Sequence, residues 1–196
     1  VYNPTDGVLV DVVECLLGRT FNMASEPSEY LLNRIKAALS FDDYEKVVLI
    51  SHSQGTIITS NVIKNLLDEY KGDDRLAKLE IYTFGCAADE MDADEDLSRK
   101  HNRLVPYVEH YANKGDLVAN LGILQKRKMQ AFGHEYYGEI YELNRSGHYL
   151  NAHYLNEFKA KAYTGARVGK ASRLYNYLGG ARTEYFNPLP ETLTSV

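Results

Sequence analysis

The sequence predicts an α/β protein built on a mainly parallel sheet with helices on both faces, and two observations carry that prediction. The apolar run Val47-Val48-Leu49-Ile50 passes through one sharp turn directly into a segment with helical spacing. Further short β-branched and aromatic runs then alternate with helical segments along the rest of the chain. Such alternation implies right-handed crossovers, and a parallel sheet of that kind puts its chemistry at the carboxyl ends of the strands.

Taken in order, Val1-Tyr2 reads as the end of a strand, followed by the turn Asn3-Pro4-Thr5-Asp6-Gly7. Leu9, Val12, Val13, Leu16 and Leu17 recur with helical spacing, so a helix is expected from Val8 to Leu17, capped by Thr5 or Asp6 and stopped by Gly18. The valines keep a strand open as the alternative there. A loop covers Thr20 to Glu26, and a second helix, Pro27 to Leu39, buries Leu31, Leu32, Ile35 and Leu39. The strand Lys46 to Ile50 leads into a helix from Gln54 to Tyr70, and Leu79 to Phe84 reads as the next strand. A third strand, Leu104 to Tyr111, empties into the turn Asn113-Lys114-Gly115-Asp116. Leu117 to Leu124 and the basic run Lys126-Arg127-Lys128 are irregular enough to be a loop or a cap over the site. Gly138 to Leu143 is the last expected strand, turned by Asn144-Arg145-Ser146-Gly147. Leu150, Tyr154, Leu155, Phe158 and Ala162 mark a helix ending near Gly165, and a short helix spans Ala171 to Leu178. Residues 181–196, with Pro188 and Pro190, read as a surface tail.

A length of 196 residues suits one domain with a self-sufficient core, and 44% hydrophobic with 25% charged residues rules against wholesale disorder. A net charge of -5 argues against a nucleic-acid binder that works by neutralising phosphates. No run reaches the length of a membrane span, so stable membrane insertion is not expected. Cys15 and Cys86 lie in apolar stretches and read as reduced packing residues. The chain opens at Val1, so it reads as a possible fragment or processed form; its compartment stays open, with an intracellular one favoured. Asn144-Arg145-Ser146 is a glycosylation sequon that chance explains equally well. From Asp89 to Asp96 six of eight residues are acidic, but Leu97 and Arg103 occupy the places where a calcium loop needs glycine and glutamate, so a solvated loop is expected. The sixteen tyrosines, beside no tryptophan, have no account at the level of sequence.

The chemistry centres on Ser51-His52-Ser53-Gln54-Gly55. A serine on so sharp a turn projects its hydroxyl past the sheet, with Ser51 and Gly55 as the small residues that let strand and helix pass closely. The alternative is a serine that merely caps the helix. The segment resembles the nucleophile elbow of α/β hydrolases in their lipase and serine esterase branch, with Ser51 replacing the usual first glycine. Thr83-Phe84-Gly85 is similar to the strand after the elbow helix in many lipases. The family usually carries more strands before the elbow, so this chain is expected to lack N-terminal strands.

A serine hydroxyl needs a base, and the base needs an acid to hold its tautomer. In the resembled family these come in the order nucleophile, acid, histidine, and Ser53, Asp116 and His148 follow that order at successive strand ends. Asn113-x-x-Asp116-x-Val118 resembles the acid loop of lipases, with Asp89 as the reserve acid. His148 follows the last strand, and His153 is the alternative base; His52 is expected to buttress the elbow. His101, His110 and His134 read as surface or packing residues. The oxyanion hole would take the backbone of Gln54 together with Thr5 or Asn3, Asp6 being a further candidate.

These residues lead to the expectation of a serine hydrolase that cleaves carboxylic esters, small-molecule or lipid, through an acyl-enzyme with no metal or organic cofactor. The alternatives are a non-catalytic ligand-binding module on the same fold, or an acyltransferase or thioesterase using the same triad. Substrate chain length and oligomeric state are not legible in the sequence.

Overall fold

The computed structural model describes residues 26–70, 73–91, 106–128, 136–165 and 171–179. The expected strand at Val1-Tyr2, the turn Asn3 to Gly7, the first helix Val8 to Leu17, Cys15, most of the acidic segment, His101, His134 and the tail lie outside them. The elements are helix α1 (Glu26–Ser40), strand β1 (Val47–His52), helix α2 (Gly55–Glu69), a 3₁₀ turn (Asp74–Lys78) and strand β2 (Leu79–Phe84). Strand β3 (Tyr107–Gly115), helices α3 (Leu117–Leu121) and α4 (Ile123–Lys128), and strand β4 (Glu139–Ser146) follow. A π turn (Leu150–Leu155), helix α5 (Asn156–Lys159), strand β5 (Thr164–Gly165) and a 3₁₀ turn (Arg173–Tyr177) complete them.

The sheet runs β1-β2-β3-β4-β5, the first four strands parallel and β5 antiparallel on the edge. The α/β class and the parallel sheet expected from the sequence are therefore present. Register carries Leu49 against Ile81 and Ile81 against Val108, so alternate residues line one face continuously. On that face Leu79, Ile81, Val108 and Ala112 pack with Ile35 and Leu39 of α1, and with Val62, Ile63 and Leu66 of α2. Ile123 and Leu124 of α4 join the same cluster, so the stretch expected to be a loop or a cap is helical and the first turn of α4 is part of the core.

The opposite face explains the tyrosines. Tyr82, Phe84, Tyr111 and Tyr141 form a layer with Tyr154, Phe158, Tyr163 and Leu174, which close over it from the last segments of the chain. Phe84 stacks on Tyr111 at 4.6 Å and Tyr111 on Tyr141 at 5.4 Å, along the register of three neighbouring strands. Tyrosine rather than phenylalanine is needed because two carboxylates are buried under this layer. Glu109, fully buried, accepts from Tyr107 Oη at 2.5 Å, Tyr111 Oη at 2.7 Å, Ser172 Oγ at 2.7 Å and the Arg173 N–H at 2.8 Å. Glu80 accepts from Tyr82 Oη at 2.6 Å and Tyr177 Oη at 2.8 Å, and pairs with Lys46 Nζ at 2.9 Å. Burial pushes the Glu80 carboxyl up, but the hydrogen bonds from Tyr82, Lys46 and Tyr177 outweigh it and hold the group below its ordinary range. Buried carboxyl acceptors thus fasten residues 172–177 to the sheet.

Several boundaries move. Strand β3 starts three residues after the expected Leu104 and continues to Gly115, because its register with β4 shifts between Asn113 and Gly115. The expected turn Asn113 to Gly115 is therefore the irregular end of a strand, the kind of bulge that re-aims the residue that follows. Strand β4 likewise runs to Ser146, placing the Asn144 sequon on a strand instead of in a turn. The expected last long helix is a π turn plus one short α-helical turn, and Ala171 to Leu178 contains 3₁₀ rather than α geometry. At Gly55 a side-chain Cβ would meet nothing within 4 Å among the described residues, so close helix–strand passage does not require glycine there. On β1, the outermost strand among the described residues, Val48 and Ile50 are 40% and 52% exposed. Ile50 and Phe84 line one wall of an apolar cleft of about 230 Å³, and Leu155, Phe158, Leu174 and Leu178 line the other.

Replacing Glu109 by alanine strands the tyrosine hydroxyls, Ser172 Oγ and the Arg173 N–H without their acceptor. Urea unfolding of Glu109→Ala is expected to show a loss of about 3 kcal/mol or more, whereas Tyr111→Phe should lose only about 1 kcal/mol.

Candidate active site

Strand β1 ends at His52, and Ser53 follows with φ 54°, a left-handed conformation that a residue with a Cβ adopts at a cost of about 1–3 kcal/mol. The turn is held from both sides. The Ser53 N–H donates to the Phe84 carbonyl at 3.1 Å, continuing the sheet pairing past its end, and the Ser53 carbonyl accepts from the Thr56 N–H at 2.9 Å and Thr56 Oγ1 at 2.6 Å. Thr56 Oγ1 in turn accepts from the Ala87 N–H at 2.9 Å, tying the first turn of α2 to the loop after β2. Ser51, two residues before Ser53, is buried, and among the described residues its Oγ has no hydrogen-bond partner.

Ser53 Oγ lies 2.7 Å from His148 Nε2, and His148 Nδ1 lies 2.8 Å from Asp116 Oδ2. Residues 63 and 32 positions apart in sequence are thus joined in one hydrogen-bonded line by three strand ends (116 − 53 and 148 − 116). With Asp116 ionised, Nδ1 is the donor to the carboxylate and Nε2 is left to accept the serine proton. Asp116 has its two oxygens divided between two tasks. Oδ1 accepts the Val118 N–H at 2.9 Å and caps α3, while Oδ2 takes the histidine. The turn-forming bond and the contact with the histidine, expected as alternatives, are therefore both made. Burial pushes the Asp116 carboxyl up, but hydrogen bonds from His148, Tyr154 and the Val118 N–H more than offset this and hold it below the ordinary carboxylate range.

His52 sits on the face of His148, ring centroids 4.7 Å apart, and its Nε2–H donates to the His148 carbonyl at 2.7 Å. Burial and the neighbouring His148 ring push its imidazole down to about 4, so it stays neutral when its neighbour acquires a proton. It packs against His148 while standing next to Ser53. His153 is turned to its own segment, its Nδ1 accepting the Tyr149 N–H at 3.0 Å and its ring packed against Gly147. Between the two expected bases, the structure brings His148 to the serine. Asp89 lies beyond β2, and Asp116 is the carboxylate on the histidine. His110 is a packing residue, fully buried between Thr83 Oγ1 at 2.7 Å and the Tyr137 carbonyl at 2.9 Å. Gln54 stands at the N-cap of α2 next to Ser53, while Thr5, Asn3 and Asp6 lie outside the described residues.

Two residues that the sequence reading missed complete the geometry. Tyr154, taken only as a core position, donates from its hydroxyl to Asp116 Oδ2 at 2.5 Å. Gly85, with φ +56°, is the backbone on which the site closes: a Cβ there would lie 2.9 Å from Asp116 Oδ2, 3.1 Å from Tyr154 Oη and 3.2 Å from His148 Cε1. The Thr-Phe-Gly pattern pointed at Gly85 without a reason, and its reason is this crowding. Among the described residues, no group of three or more His, Cys, Asp or Glu could hold a metal ion, and no helix is long and apolar enough to cross a membrane. No family model, curated protein or solved structure matches the chain.

His110, fully buried, and the partly buried His52 give stability a pH dependence of known sign. Each imidazole is pushed down to about 4, so between there and the ordinary value of about 6.5 the unfolded chain binds more protons than the folded one. Their contribution is complete above that range and is lost as pH falls through it. The urea midpoint is expected to drop between pH 7 and pH 5, and a His110→Asn variant should show a visibly shallower drop.

Proposed function

We propose that the protein is a serine hydrolase of α/β-hydrolase type that cleaves carboxylic esters through an acyl-enzyme. The observation that carries this reading is the line from Ser53 Oγ through His148 to Asp116, at 2.7 Å and 2.8 Å, on a serine held at positive φ. In this reading His148 Nε2 takes the Ser53 proton as Oγ adds to the ester carbonyl, then returns it to the departing alcohol. Asp116 keeps Nδ1 protonated and stabilises the imidazolium, and neutral His52 avoids setting a second positive charge against it. The backbone N–H of Gln54, at the start of α2, would face the oxyanion, aided by the positive end of the helix dipole. Water, activated by the same histidine, would then release the acid.

An ester with an apolar portion fits the surroundings. Leu117 and Tyr149 directly follow Asp116 and His148 and are 60% and 61% exposed, so apolar surface lies beside the site. Phe84, whose carbonyl binds the Ser53 N–H, also lines the apolar cleft. A short-chain acyl group placed there would leave water, a gain of about 0.8 kcal/mol per buried methylene.

A fluorophosphonate probe is expected to modify Ser53, read by mass spectrometry of the peptide that carries it. Ser53→Ala should abolish labelling and lower hydrolysis of a p-nitrophenyl ester about a thousandfold or more while leaving the fold intact. Wild-type protein that stays unmodified under conditions that label ordinary esterases would overturn the reading, leaving a ligand-binding module. Transfer of the acyl group to added alcohol or thiol in place of water would reassign the protein as a transferase.

A further inference from the structure

Asp116 carries one more hydrogen bond than its two tasks require. Its Oδ2 accepts from His148 Nδ1 at 2.8 Å and, at 2.5 Å, from the hydroxyl of Tyr154, a residue whose side chain is fully buried. That hydroxyl is in turn the acceptor for the Asn113 N–H at 3.3 Å, where the bulge of β3 begins. Asn113 is fixed as well: its Nδ2 donates to the His153 carbonyl at 3.0 Å and its Oδ1 accepts from Tyr163 Oη at 2.7 Å. Tyr154 is placed by the π turn Leu150–Leu155, a wide turn that shifts the side chains after it relative to an α-helix and is often found at functional sites. It reaches back from this turn to Asp116, just after β3, while His148, six residues earlier (154 − 148), reaches Ser53, just after β1. Gly85 leaves room for all three groups to meet.

We propose that Tyr154 is a fourth member of the site, a positioning residue that fixes the carboxylate of Asp116 and sets how strongly it holds the imidazolium of His148. The proposal rests on the hydrolase reading for its catalytic meaning, but the coupling itself exists with or without turnover. A carboxylate oxygen shared between two donors concentrates less charge on either one. The Tyr154 hydroxyl therefore draws charge away from the Nδ1–H bond, weakening the grip on the protonated histidine and letting it release its proton to the leaving group more readily. It also holds the carboxylate plane: with the Val118 N–H on Oδ1 and Tyr154 on Oδ2, the group cannot rotate off the histidine. The other titratable rings facing this cluster are His52, with centroids 4.7 Å from His148 and 6.0 Å from Tyr154, Tyr163, stacked 6.5 Å from Tyr154, and His153 behind Gly147. None of these donates to Asp116 Oδ2 in the way that Tyr154 does.

The test is an NMR titration of the His148 ring in full-length wild-type protein, in Tyr154→Phe, and in protein carrying 3-fluorotyrosine at position 154, with kcat/KM for a p-nitrophenyl ester measured over the same pH range. Removing the hydroxyl should move the midpoint, and the acid limb of kcat/KM with it, about half a unit to higher pH, and lower the plateau of kcat/KM about tenfold. Fluorotyrosine, a stronger donor of the same shape, should move the midpoint the other way. Tyr111→Phe, which loosens the same aromatic layer but whose hydroxyl bonds Glu109 and Ser172 and neither Asp116 nor Asn113, should leave it in place. Midpoints that stay at the wild-type value in both position-154 proteins would overturn the proposal and leave Tyr154 as packing. A wild-type protein that turns over no ester but shows the opposed shifts would overturn the hydrolase reading and keep the coupling. If Tyr154→Phe does not fold, the fluorotyrosine protein decides alone.

Discussion

The parallel register of four strands is the constraint on which the rest of this structure depends. Because β1, β3 and β4 run the same way and end at the same edge, the residues that follow them, Ser53, Asp116 and His148, emerge within hydrogen-bond reach of one another. A slip of one residue in any pairing would turn a whole strand over and send its polar terminus into the wrong layer. The register is protected by the difference between the two faces. One is an aliphatic surface against helices α1 and α2; the other is a tyrosine layer whose hydroxyls find their acceptors only in the observed alignment.

That second face links stability to the site. Glu109 and Glu80 collect hydroxyl donors from three strands and from the segment 172–177, and Phe84, Tyr111 and Tyr154 belong to the same layer. Tyr154 is at once a member of this aromatic packing and a donor to Asp116, so the rigidity of the layer is transmitted to the carboxylate. The local strain at Ser53 is held in the same manner, by pairing to Phe84 on one side and by Thr56 on the other. Charges buried with full hydrogen bonding are specific in their demands, and this favours one arrangement over its near alternatives.

Local chemistry was legible where a single short stretch contained the whole cause. Strand β2 was read with its observed bounds, and α1 and α2 to within a residue at each end, because apolar periodicity and flanking polar residues define them. The sharp turn that presents Ser53 between strand and helix was legible for the same reason. What was lost in the sequence had a long-range cause. The end of β3 reads as a turn because Asn113, Lys114 and Gly115 favour turns, yet pairing with β4 keeps them extended through a bulge. The π turn at Leu150 to Leu155 keeps the same apolar residues a helix would show, so its wider winding leaves no trace in the pattern. Gly55 looked necessary, yet among the described residues nothing crowds it, while Gly85 is required by side chains that arrive from two distant segments.

The order of serine, acid and histidine, the side chains able to fill those roles and the alternation of strand with helix are written along the chain, since each depends on neighbours a few residues away. The choice of His148 over His153, the second donor on Asp116, and the use of tyrosine to quiet two buried carboxylates were decided only when the sheet assembled. Distances between remote groups are set by packing, and composition cannot report them.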